Sequence, residues 1–182
     1  MDEKRTVKAS RTLSRILRHD PGSVGVALDP AGWVEVDALL AALGRHGRPL
    51  SRAELDHVVA TNDKRRFAYS ADGRSIRASQ GHTVEVDLGL PAAVPPDVLF
   101  HGTAERTLRF VLAEGLRPMS RRDVHLSADA GTAVRVGSRH GRPVVLEVDA
   151  AAMARDGHAF RVSANGVWLT DAVPVAYLRR TP

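Results

Sequence analysis

At 182 residues, with 43% hydrophobic and 26% charged residues, the chain suits one ordinary domain or two small ones with a buried core, not a disordered segment. No apolar run approaches the ~20 residues that span a bilayer, and the charged start Met1-Asp2-Glu3-Lys4-Arg5 precedes no apolar secretory segment, so a cytoplasmic location is expected. The absence of cysteine excludes disulfides, thiolate metal sites and a cysteine nucleophile, and the net charge of +5 divides evenly, 14 basic against 12 acidic residues over 1–90 and 12 against 9 over 91–182.

The first helix is expected where Val7, Leu13, Ile16 and Leu17 recur at helical spacing. Pro21 lacks an N–H and disfavours the α conformation at Asp20, so this helix should end near His19. Arg18 and His19 then sit in its last turn, where unpaired carbonyls favour cations. By itself that is a matter of local stability. Gly32–Val36 alternates as a short strand, and Asp37 can cap a helix through Leu39, Leu40 and Leu43. Ser51-Arg52-Ala53-Glu54 has capping-box spacing and opens a third helix through Leu55, Val58 and Val59. Residues 66–70 and 74–78 flank Ala71-Asp72-Gly73 as a hairpin. Three helices followed by a hairpin is the element order of a winged helix.

Thr83–Leu88 alternates like a further strand, and the proline-rich run 89–96 reads as a linker. Val98–Thr103 is an apolar strand opening into a turn, residues 104–114 suit a helix closed by Gly115, and His125-Leu126-Ser127 is a short strand. Ser127 is placed to cap a helix through Ala133, Val134 and Val136. Strands are expected at Val144–Val148, Phe160–Ser163, Val167–Thr170 and Val175–Leu178, so the second half reads as α+β.

Asn62-Asp63-Lys64-Arg65-Arg66-Phe67 joins the third helix to the hairpin, with three consecutive cations that repel one another and turn outward to solvent or to an anion. His101, His125 and Arg139-His140 stand out in the second half. No HxH or HExxH spacing is present, so no metal site is expected. The absence of GxSxG, Walker A and GxGxxG motifs argues against a serine hydrolase and against those two modes of nucleotide binding.

Taken in order, Leu17–Pro21, Asn62–Phe67, Ile76–His82, Phe100–Thr103, His125–Ser127, Val136–Arg139 and Asn165–Thr170 resemble the motifs of the RNA 2′-phosphotransferases, and the resemblance runs from about residue 10 to residue 178. It implies an N-terminal winged-helix RNA-binding lobe over 1–90 and a C-terminal ADP-ribosyltransferase-like NAD-binding lobe over 91–182. It further implies NAD as a consumed co-substrate, RNA bearing an internal 2′-phosphate as partner and no metal; no membrane partner is expected, and a monomer is. The 2′-phosphate attacks the nicotinamide-bearing ribose carbon and expels nicotinamide. The neighbouring 2″-hydroxyl then attacks phosphorus, leaving 2′-OH RNA and ADP-ribose 1″,2″-cyclic phosphate.

Under this resemblance Arg18, His19, Arg66 and Arg139 match the family's Arg-His-Arg-Arg tetrad, with the arginines clamping the phosphate and His19 acting as acid–base group or hydrogen-bond donor. Guanidinium suits the task because it stays charged and grips phosphate bidentately. A helix C-terminus favours the protonated imidazole. His101 matches a histidine that bonds an NAD ribose, Gly102 and Thr103 lie where the nicotinamide amide approaches, and His125 and Ser127 fall beside nicotinamide. Val167 stands where many protein-modifying relatives carry a glutamate, which argues against arginine-directed ADP-ribosylation. His82, His140 and Trp168 are read as structural or solvent-facing. Two other readings are ADP-ribosylation of RNA or DNA terminal phosphates, and a winged-helix DNA-binding regulator with an NAD-sensing domain.

Overall fold

The computed structural model describes residues 1–180. Its first element, α1 (Glu3–Arg18), is opened by the Asp2 carboxylate accepting from Arg5 N–H and stops at His19, as Pro21 requires. Leu13, Ile16 and Leu17 are fully buried on one face, each a burial of about 1.5–3 kcal/mol. Two further helices, α2 (Val36–Arg45) and α3 (Arg52–Ala60), pack their apolar residues Leu39, Leu43, Leu55 and Val58 into the same core. Ser51 and Glu54 form the expected capping box. The three-stranded antiparallel sheet has the order β1 (Val34–Glu35), β3 (Ser75–Ala78), β2 (Phe67–Tyr69), with Gly73 at φ 70° turning the hairpin. These elements belong to one of two units, Met1–Gly89.

The second unit, Leu90–Pro182, contains two three-stranded antiparallel sheets. One runs β4 (Val98–Ala104), β6 (Pro143–Asp149), β9 (Leu178–Arg180); the other runs β5 (Val124–Leu126), β8 (Trp168–Thr170), β7 (Arg161–Val162). Helices α4 (Glu105–Glu114), α5 (Ala130–Gly137) and α6 (Ala150–Arg155) complete it. The described residues therefore form a mixed fold of six α-helices and small antiparallel sheets. Leu99, Leu126, Val148, Met153 and Phe160 make up the main core of this unit.

Several local expectations are corrected. Thr83–Leu88 is not a strand: Thr83 and Val84 give their N–H groups to the Arg18 carbonyl, and Asp87 gives its own to Pro30, so no sheet ladder forms. The expected strand Gly32–Val36 shrinks to two residues because Val36 already begins α2, whose cap position is Glu35 and not Asp37. Asp129, not Ser127, caps α5, accepting from Thr132 N–H at 2.7 Å. Residues 175–177 form a 3-10 turn, and β9 follows it. The run 89–96 is anchored, since Ala93 N–H donates to Phe160 O at 2.8 Å. Helix α6, opened by Asp149, was not expected.

Candidate active site

In the first unit, the end of α1 and the start of β2 are tied to one short stretch. Ser79 N–H donates to Arg66 O at 2.8 Å, and the Ser79 hydroxyl donates to Arg65 O at 2.7 Å. Four residues on, Thr83 N–H donates to Arg18 O at 2.8 Å. Four residues span at most ~14 Å, so Arg66 and the Arg18–His19 pair are held at the two ends of a short leash. A second tie runs through Asn62, whose Nδ2 donates to Ser10 of α1 at 3.2 Å. Its Oδ1 accepts from Arg66 Nη1 at 3.2 Å and from Arg66 N–H at 3.4 Å, fixing both ends of that arginine. The turn it organises places Arg65 at φ 42°, a left-handed conformation that is strained for any residue with a Cβ.

His19 completes this cluster in the first unit. Its Nδ1 lies 3.1 Å from Thr83 Oγ1, whose own hydrogen points to Arg18 O at 3.4 Å. With the hydroxyl hydrogen directed to that carbonyl, Thr83 is placed to accept from Nδ1–H, which favours the tautomer carrying its proton on Nδ1. The Arg18 carbonyl receives Thr83 N–H, Val84 N–H and the Thr83 hydroxyl together.

His82 was read as structural or solvent-facing, and it is structural: it is 3% exposed, with Nε2 unpartnered among the described residues. Burial, then the charges of Arg18, His19 and Arg77, push its pKa down to about 4, so it is neutral beside the cations. Gly32, at φ 83°, passes over the ring, and a Cβ there would stand 3.5 Å from Nε2. The side chain of His140 lies outside the described residues, and Trp168 packs against the core.

In the second unit the two sheets are bridged by Phe100 and Ser127, whose N–H groups and carbonyls exchange bonds of 2.9 and 2.8 Å. That junction brings His101, His125 and Ser127 together. His101 Nδ1–H donates to the His125 carbonyl at 3.1 Å, and burial lowers the His101 pKa, so its Nε2 presents a lone pair. Arg121 Nη1 lies 2.7 Å from His125 Nδ1. A guanidinium only donates, so Nδ1 accepts and the His125 proton resides on Nε2. The two histidines thus present opposite characters, an acceptor and a donor. Burial first, and Arg139 second, lower the Arg121 pKa, which sets Arg139 near the same cluster.

Gly102 is a glycine for a reason the sequence did not disclose. A Cβ on it would lie 1.8 Å from Ala133 O and 2.6 Å from Ala133 C, and a Cβ on Gly137 would lie 2.7 Å from Thr103 O. Strand β4 and helix α5 therefore touch backbone to backbone through two glycines. Arg139 follows directly, in the 3-10 turn Ser138–His140, so this contact positions it against the strand carrying His101 and Thr103. The Thr103 hydroxyl bonds Thr107 Oγ1 at 2.7 Å, and Thr107 donates to Ala104 O. Val167, half-buried, ends the turn that Ser163 closes, its N–H donating to Ser163 Oγ at 3.1 Å.

Sequence reasoning thus missed Thr83, Asn62 and Arg121 as positioning groups. Asn62 sat inside a quoted motif, Thr83 one residue past another, and Arg121 carried no local signal. Among the described residues no cluster of three metal-ligating side chains occurs.

The model of one family, described as RNA 2′-phosphotransferase, Tpt1 / KptA family, matches residues 4–172. The chain is 64% identical to a protein of Streptomyces coelicolor named "Probable RNA 2′-phosphotransferase", covering 98% of this chain and 97% of that one. Proteins of the same name from Agrobacterium fabrum and Nostoc punctiforme are 58% and 49% identical, covering 93% and 99% of this chain and 91% and 99% of theirs.

Proposed function

The chain belongs to the RNA 2′-phosphotransferase, Tpt1 / KptA family and is an enzyme of the transferase class; we propose that it removes an internal RNA 2′-phosphate using NAD, as in the processing of spliced tRNA. The products on this reading are 2′-OH RNA, nicotinamide and ADP-ribose 1″,2″-cyclic phosphate. The observation that carries it is the leash of residues 79–83, which holds Arg66 and the Arg18–His19 pair to one edge of the first unit. We read that unit as a winged-helix lobe and the second as an ADP-ribosyltransferase-like lobe, working in the cytoplasm as a monomer. Among the described residues no helix is long and apolar enough to cross a membrane.

Arg18, Arg66 and Arg139 are assigned to the 2′-phosphate. Guanidinium groups balance its charge against the diphosphate of the second substrate and stabilise the more negative phosphorus centre that follows. His19 works through Nε2, as hydrogen-bond donor when protonated and as proton acceptor when neutral.

NAD supplies an electrophilic ribose carbon whose leaving group departs neutral. The donor set at the sheet junction fits such a ligand: neutral His101 offers Nε2 to a ribose hydroxyl, and His125 offers Nε2–H beside it. Ser127 and Thr103 contribute hydroxyls and Val167 an uncharged wall that does not repel an anionic acceptor, while Gly102 lets α5 close on the strand that carries His101.

Mixing the enzyme with NAD and an oligonucleotide carrying one internal 2′-phosphate tests the reading. Nicotinamide release that depends on the 2′-phosphate is expected. Release at the same rate from the 2′-OH oligonucleotide, or none at all, contradicts it.

A further inference from the structure

The even division of charge between the halves of the chain conceals a segregation within the first. Helix α1 carries six basic residues against Glu3 alone, a balance of +5. The rest of Met1–Gly89 carries eight basic and eleven acidic residues, a balance of −3. At 3.6 residues per turn, Lys4, Lys8, Arg11, Arg15 and Arg18 all fall within ~40° of one line along the helix. The first four are exposed. Arg5 points elsewhere and pairs with Glu54 at 2.7 Å, whereas Lys4, Lys8 and Arg11 have no ion pair among the described residues.

This arrangement works against the stability of the helix. Like charges three and four residues apart repel, costing roughly 0.2–0.5 kcal/mol per pair. A helix shaped for stability alone would alternate acids with bases on that face. Val7, 42% exposed between the cations, adds apolar surface where a solvated face needs none.

We propose that the Lys4–Lys8–Arg11–Arg15 face of α1 is a track for the backbone of the single-stranded RNA flanking the reacting phosphate. The track is ~21 Å long from Lys4 to Arg18, with one cation roughly every 5 Å. It runs into Arg18 and His19, so a strand lying on it delivers its next phosphate to the proposed clamp. Recognition is by charge and spacing and reads no sequence, because the face carries no aromatic ring and no amide side chain. The assignment rests on the proposed function for the identity of the polymer. The geometry and charge of the face do not depend on it.

The test uses fluorescence anisotropy of the full chain with an unmodified single-stranded oligoribonucleotide, without NAD, over a salt series. One variant combines Lys4→Ala, Lys8→Ala and Arg11→Ala. The control removes as much exposed charge from the second unit through Arg106→Ala, Arg109→Ala and Arg155→Ala. The track variant is expected to bind at least tenfold more weakly at low salt. Its dependence of log affinity on log salt should be shallower by about 2, three cations at ~0.7 each. The control should stay within twofold of the parent. Equal losses in both variants, or an unchanged salt slope in the track variant, overturn the proposal. So does loss of binding to phosphatidylserine vesicles with RNA affinity intact, which makes the face a membrane contact. Because no turnover is read, a failure of the proposed reaction leaves this result interpretable, and circular dichroism melting checks that both variants fold.

Discussion

His19 and Thr83, 64 residues apart, share a 3.1 Å hydrogen bond that bears on which nitrogen of the histidine carries its proton. The hydroxyl is itself fixed by the Arg18 carbonyl, so the end of α1 and the stretch after β3 set the tautomer together. Replacing Thr83 by valine keeps the shape and removes the acceptor. Turnover is expected to fall about tenfold, equivalent to the ~1–1.5 kcal/mol of one hydrogen bond. The pH profile of turnover should move with it, and Thr83→Ser should restore both. A valine variant with the parent rate and profile would show that Thr83 only packs.

Arg65 and Arg66 are neighbours with opposite expectations. Arg65 holds φ 42°, so Arg65→Gly should leave turnover intact and raise the melting temperature, the relieved strain being on the order of 1 kcal/mol. Arg66 is held at backbone and side chain by Asn62 and is assigned to the phosphate. Arg66→Ala should lose ~10²–10³ in rate with melting little changed. Thermal melts paired with turnover assays separate the two.

Gly102→Ala is expected to damage the fold before it touches chemistry. The new methyl would meet the Ala133 carbonyl at 1.8 Å, so helix α5 must move off strand β4. A loss of about 3 kcal/mol, at the upper end for overpacking, is expected in denaturant titration. Parental stability would mean that the two backbones are not in contact.

His82 makes the first unit sensitive to acid. Its folded pKa of about 4 lies below the ordinary 6.5, so the unfolded chain takes the proton first as pH falls. The stability is fully present above pH 6.5 and is lost progressively down to about pH 4, on the order of 3 kcal/mol in all. His82→Leu should flatten the fall in melting temperature across that window. An identical pH dependence in the variant would show that His82 is not the group responsible.

The elements of the fold were legible where local chemistry decides: the Pro21 stop, the Ser51–Glu54 capping box, the Gly73 turn. Thr83–Leu88 misled because alternation reports which side chains are buried and not where the N–H groups go, and here they go to a helix end and a loop. The candidate residues themselves were legible through ordered motifs, since each motif is local. Their supports were not. Thr83 acts on His19, and Arg121 on His125, through contacts that only folding creates. Gly102 was noticed for the space above its backbone, but the space is filled by helix α5, a partner 31 residues downstream.

The central claim is that phosphorus moves from the RNA 2′-oxygen to ADP-ribose. An oligoribonucleotide radiolabelled only at its internal 2′-phosphate follows that atom directly. With NAD present, the label should leave the RNA and appear in ADP-ribose 1″,2″-cyclic phosphate, with the strand recovered as 2′-OH RNA. Label that remains on the RNA, or that is released as inorganic phosphate, would contradict the account.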